Sequence, residues 1–71
     1  MSRLPIIAGK ELIRLLEKKG WEVRRQKGSH IIMHAKNDPT KHVTIPNHGA
    51  IKKGTLLSIL RTTGLKREDF E

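Results

Sequence analysis

The sequence predicts an α+β fold of order α-β-β-β-α, in which a three-stranded antiparallel sheet carries two helices on one face. Three observations lead there. Apolar residues recur at helical spacing near both ends and with a period of two between them. Glycine, proline and asparagine clusters punctuate each change of period. A chain of 71 residues has room for one core only, because a domain of this size buries about 60% of its unfolded surface. A single domain over residues 1–71 is therefore expected, with no enclosed cavity and with any active site on its surface.

Each element follows from its pattern. Leu12, Ile13, Leu15 and Leu16 share one side of a helix running from Lys10 to Lys19, while Lys10, Glu11, Arg14, Glu17, Lys18 and Lys19 cover the other. Gly20 stands where a helix-terminating glycine belongs. Past it, Trp21 and Val23 alternate with Glu22 and Arg24 in a strand that continues to Gln26. Ile31 to Ala35 is a second strand, bounded by the turn-rich Lys36-Asn37-Asp38-Pro39-Thr40. His42-Val43-Thr44-Ile45 alternates again and stops at Pro46, so the three strands form a meander. A loop at Asn47-His48-Gly49 precedes a second helix, marked by Leu56, Leu57, Ile59 and Leu60 and closed by Gly64. Leu65 to Phe70 reads as a short final turn that folds Phe70 back on the body.

The register of the first hairpin decides which face is buried. A two-residue Lys27-Gly28 loop would pair Gln26 with Ser29, bury His30 and His34 beside Trp21, and strand Ile31 and Met33 in water. A three-residue Lys27-Gly28-Ser29 loop pairs Gln26 with His30 instead. It gathers Trp21, Val23, Ile31, Met33 and Ala35 on one face and Arg24, Gln26, His30, Ile32 and His34 on the other. Val43 and Ile45 join the first face, and His42 and Thr44 the second. The three-residue loop is therefore expected, with both helices on the apolar face and the polar face open.

Composition narrows the function. With 15 Lys+Arg against 7 Asp+Glu the formal net charge is +8, and so large an excess on so small a surface points to a polyanion, nucleic acid first. The chain has no cysteine, which removes disulfides, thiolate zinc sites and cysteine nucleophiles and suits a reducing, cytoplasmic setting. No apolar run approaches the ~20 residues that span a bilayer, and Met1 to Lys10 lacks the apolar stretch of a signal peptide, so neither membrane insertion nor secretion is expected.

Four histidines invite a metal reading, but His30 and His34 sit four strand residues apart, roughly 13 Å, too far to share one ion. Only Glu22 and Asp38 supply carboxylates between residues 20 and 60, so a magnesium nuclease lacks its ligands and no cofactor is expected. Ser29 adjoins His30 and would point the other way along a continuous strand, so a hydrolase triad fails and Ser29 belongs to the turn. What remains is His30 at the start of a strand, exposed among Arg24, Arg25, Lys27, Lys52 and Lys53. RNA carries its own nucleophile in the 2′-hydroxyl, so a protein need only move a proton and stabilise the phosphorane with positive charge. Histidine suits that work, because an imidazole of pKa about 6.5 has both forms populated near neutrality. The plainer alternative is a solvated or phosphate-contacting side chain.

Several segments together resemble one family. They are Lys10-Glu11-Leu12-Ile13-Arg14-Leu15-Leu16, Gly20-Trp21, Arg25-Gln26-Lys27-Gly28-Ser29-His30, Val43-Thr44-Ile45-Pro46-Asn47-His48, Lys53-Gly54-Thr55-Leu56 and Gly64-Leu65. Their order and spacing resemble the HicA (YcfA-like) messenger-RNA interferase toxins over nearly the whole chain. The resemblance implies a double-stranded-RNA-binding-like fold and a metal-independent ribonuclease whose single catalytic histidine maps onto His30. It also implies a HicB-type antitoxin that covers the active surface and usually brings a DNA-binding segment of its own, so this chain is not expected to read DNA sequence directly. His34 and His42 match no family requirement.

The remaining candidates each carry two readings. Gly28 offers a positive-φ position that lets a phosphate or base approach the backbone, or is simply a turn glycine. Gly54, with Lys52 and Lys53 at the start of the second helix, forms a phosphate seat, or serves helix-to-strand packing. Arg24, Lys27 and Lys53 are expected to position phosphate, and Gly28 and Ser29 to flank it. His48 is a second proton-transfer group, or contacts phosphate, or caps its loop. Trp21 and Phe70 belong to the core, which leaves no rings for base stacking and predicts loose cleavage specificity. Beside the ribonuclease stand two non-enzymatic readings, a double-stranded-RNA-binding module and a basic module for an acidic protein partner.

Overall fold

Helix α1 spans Gly9–Lys18, and strands β1, β2 and β3 span Trp21–Lys27, His30–Ala35 and Asp38–Pro46. Helix α2 spans Lys53–Thr63, and a 3₁₀ turn over Arg67–Phe70 follows. This is a computed structural model, and it describes residues 6–70. The parts of the expected domain and of the leader-free start that fall on residues 1–5 and 71 lie outside the described residues. The expected α+β class and α-β-β-β-α order hold, with antiparallel strands in the order β1-β2-β3.

The core sits between the helices and one face of the sheet. Leu12 and Leu16 of α1 meet Leu56 and Ile59 of α2 over Trp21, Ile31, Met33, Ala35, Val43 and Ile45. Those strand residues are the ones the period of two assigned to the apolar face, save that Val23 at the sheet edge stays partly in water. Phe70 packs against this core. Its turn is anchored by Asp69, which accepts the Lys66 amide at 2.8 Å and pairs with Lys19 Nζ at 3.1 Å. Both contacts hold the Asp69 carboxyl below the usual carboxylate range.

The first hairpin differs from expectation by one residue. Lys27, not Gln26, pairs with His30, and the loop is Gly28-Ser29 with Gly28 at φ 60°, the positive-φ position that a tight two-residue hairpin demands. Val23 nevertheless pairs with Met33 and Trp21 with Ala35, because a bulge between Val23 and Arg25 absorbs the offset. The bulge redistributes side chains. Gln26 lies opposite Ile31 on the covered side rather than on the open face, and its amide donates to the Gly28 carbonyl at 3.1 Å. Arg25 lies opposite Ile32 and joins the open face. Strand β3 begins at Asp38, earlier than His42, so Pro39 is a strand residue; β3 is an edge strand, where proline costs no ladder bond.

Gly9 has a role the sequence does not announce. A Cβ there would collide with the Pro46 carbonyl oxygen and crowd Asn47 Cα, so only glycine lets α1 start against the end of β3. Gly54 is its opposite, since a Cβ would meet nothing within 4 Å, which removes the helix-to-strand packing reading of that glycine. Gly9→Ala is expected to cost about 1–3 kcal/mol as overpacking, lowering the melting temperature by at least about 4 °C. Gly54→Ala should raise it by relieving the roughly 1 kcal/mol helix penalty of glycine. Thermal melts followed by circular dichroism check both.

Candidate active site

The open face of the sheet is laid out in rows set by strand pairing, since residues directly opposite one another share a face. Lys27, His30 and Pro46 form one row; Arg25, Ile32 and Thr44 the next; Glu22, His34 and His42 the third. Arg24 Nη1 lies 3.5 Å from Glu22 Oε2, so Arg24 also faces this side. Two consecutive arginines on one face is the product of the bulge. Arg24 is thereby drawn toward the His34 row, while Arg25 and Lys27 enter no ion pair among the described residues.

His30 is exposed, at the first position of β2. It lines a surface depression of about 470 Å³ with Thr44, Pro46, His48, Ala50, Ile51, Lys52 and Thr55. Three parts of the chain meet there: the paired ends of β2 and β3, the loop between Pro46 and Lys53, and the first turn of α2. Of the candidate residues, this brings together His30, Lys52 and His48, with Lys27 beside His30 in the sheet. Lys53 and Gly54 stand in the adjoining helical turn, exposed but off the lining. Gly28 and Ser29 form the turn behind His30. Arg24 lies two rows away.

The loop bearing His48 is held by backbone bonds. The Asn47 amide donates to the Ser29 carbonyl at 2.7 Å, tying the residue before His48 to the residue before His30. The Gly9 amide reaches the Gly49 carbonyl at 3.4 Å, the Ile51 amide donates to the Ile7 carbonyl at 2.9 Å, and Ala8 bridges Ala50. Gly49 takes φ 69° to make the bend.

Helix α2 starts without a cap. Its N-cap residue is Lys52, no side chain accepts from the first turn, and that turn holds no acidic residue. The first intrahelical bond comes only at Leu56, whose amide donates to the Lys52 carbonyl at 2.9 Å. A cation at the positive end of a helix dipole, with free amides beside it, is unfavourable unless an anion sits there.

The other two histidines pair with each other. His34 lies opposite His42 with ring centroids 5.9 Å apart, and His34 Nδ1 contacts the Pro39 carbonyl oxygen at 2.8 Å. Among the described residues no three His, Cys, Asp or Glu side chains converge to hold an ion. Thr55 was given no role by its sequence context, whereas Arg25 stood among the expected cations and Thr44 on the expected polar face. The bulge brings Arg25 to the open face, and the closeness of α2 to β3 brings Thr55 to the depression.

Among the described residues no helix is long and apolar enough to cross a membrane. No curated protein matches the chain. Residues 9–65 match the family model described as HicA toxin of bacterial toxin-antitoxin, a family whose role is that of a toxin and whose kind of partner is an antitoxin. Matched from the first residue of α1 to beyond the end of α2, the chain belongs to the HicA toxin family.

Proposed function

We propose that this toxin is an endoribonuclease that cleaves messenger RNA in the cytoplasm without a metal ion, using His30 for proton transfer, and that a HicB-type antitoxin silences it by covering the same face. The observation that carries this reading is the exposed imidazole of His30 in a depression that Lys52 also lines, with Lys27 beside His30 in the sheet, on a chain of the HicA toxin family. The 2′-oxygen of RNA attacks the adjacent phosphorus once its proton is removed, the 5′-oxygen leaves with a proton, and a 2′,3′-cyclic phosphate results. An imidazole serves either transfer. DNA lacks the attacking oxygen and is bound without being cut.

Charge supplies the rest. Negative charge builds on the non-bridging phosphate oxygens in the phosphorane, and fixed donors aimed at it lower the barrier. Lys27 beside His30, Lys52 on the rim and the free amides of the α2 first turn are suited to that task. Lys53, with Gly54 leaving the approach open, extends the seat for the chain of phosphates. Arg25 replaces Arg24 as the nearer arginine, and Arg24 holds a more distant phosphate. No Phe, Tyr or Trp side chain lines the depression, so phosphate contacts dominate over base stacking.

Purified His30→Ala protein is expected to stay folded, to bind RNA and antitoxin, and to lose roughly 10²–10⁴-fold in cleavage rate, with growth arrest lost on expression. Retained cleavage would remove His30 from the mechanism. EDTA should leave wild-type cutting intact, and its abolition by chelation would remove the metal-free chemistry. If about four cations contact a single strand, log affinity should fall against log salt with a slope of about −3. A flat response would favour a protein-only binding module.

A further inference from the structure

The proposed cleavage needs two proton transfers at once, and only one has a residue. The 2′-hydroxyl proton leaves on one side of phosphorus while the 5′-oxygen gains a proton on the other, so a single imidazole cannot serve both ends of an in-line displacement. We infer that His48 is the second proton-transfer group and acts opposite His30. This rests on the ribonuclease reading and extends it.

Five observations support the assignment. His48 and His30 line the same depression. They come from different parts of the chain, one from the start of β2 and the other from the loop leading into α2. The depression, of about 470 Å³, falls in the range of small-ligand clefts. Their backbones are coupled, since the Asn47 amide to Ser29 carbonyl bond of 2.7 Å joins the residues immediately before each histidine. The loop is therefore a fixed support, and Gly9 seated against Pro46 and Asn47 backs it from behind. Finally, both side chains are exposed, and among the described residues neither ring is hydrogen-bonded to protein, whereas His34 Nδ1 is engaged with Pro39. A loop-capping histidine would have such a bond.

The step balances without redox chemistry or any further reactant. The neutral imidazole takes the 2′-hydroxyl proton as the O2′–P bond forms, and the protonated imidazole gives its proton to O5′ as the P–O5′ bond breaks. The products are a 2′,3′-cyclic phosphate and a 5′-hydroxyl, and exchange with water resets both rings. Lys52, on the α2 rim of the same depression, holds the non-bridging oxygens between them.

The test compares wild type, His30→Ala and His48→Ala on a mixed-sequence single-stranded RNA oligonucleotide and on the same oligonucleotide with a bridging 5′-sulfur, whose thiolate leaves without a proton. Circular dichroism confirms folding, and RNA affinity is measured beside cleavage. With RNA, His48→Ala should lose roughly 10²–10⁴-fold in rate at unchanged affinity, and the bell-shaped pH–rate profile of wild type should lose one limb. The sulfur substrate should restore cleavage in one of the two variants and not in the other, which identifies the acid. Cleavage by His48→Ala within about 10-fold of wild type overturns the assignment, and so does a parallel loss of affinity and rate or a profile that keeps both limbs. A wild-type protein that cuts neither substrate defeats the ribonuclease reading itself, a different failure from a wild type that cuts while His48→Ala cuts equally well.

Discussion

A three-stranded sheet with only enough apolar residues to cover one side is the constraint from which the rest follows. Leu12, Leu16, Leu56 and Ile59 all go to that side, so both helices must lie there and the opposite face has nothing to pack against it. The result is a surface built on strands, rigid beneath and wet above. Whatever stands on it, His30 included, is positioned by ladder hydrogen bonds instead of by burial. Burial would desolvate the groups that proton transfer and phosphate binding require, and the fold avoids that cost by standing His30 on the uncovered side of the sheet, at the rim where β2 and β3 meet the start of α2.

The bulge in β1 shows how local irregularity serves this division. Without it, Arg24 and Arg25 would alternate, and one of them would point at the helices. With it, both reach the open side while Trp21 and Val23 keep their partners Ala35 and Met33. An edge strand tolerates the extra residue because its outer backbone groups have no second neighbour to lose.

Much of this was legible in the residue pattern. Helix α1, helix α2, the three strands and nearly every core residue follow from periods of 3.6 and two, because burial on one face forces apolar residues into phase. The register near the turn was not legible. From Arg24 to Lys27 the strand holds four polar residues in succession, so no apolar marker records where the phase slips, and loop length alone cannot reveal a bulge. The early start of β3 was hidden because Asp38 and Pro39 carry turn chemistry even when they stand in an edge strand. Gly9 gave no local sign, since the obstruction it avoids belongs to a segment far along the chain. At the candidate site, His30 and Lys52 were legible from charge and position. The clamp on the loop of His48 consists of backbone bonds, which leave no trace in side-chain identity.

The uncapped start of α2 has a consequence for the stability of the free protein. An exposed lysine at the positive end of a helix is an electrostatic frustration that a bound negative group relieves. Any polyanion that settles there favours the folded ensemble by mass action, be it a nucleic acid or an acidic segment of another protein. The solitary molecule is then the form whose α2 start is least stabilised against local fraying.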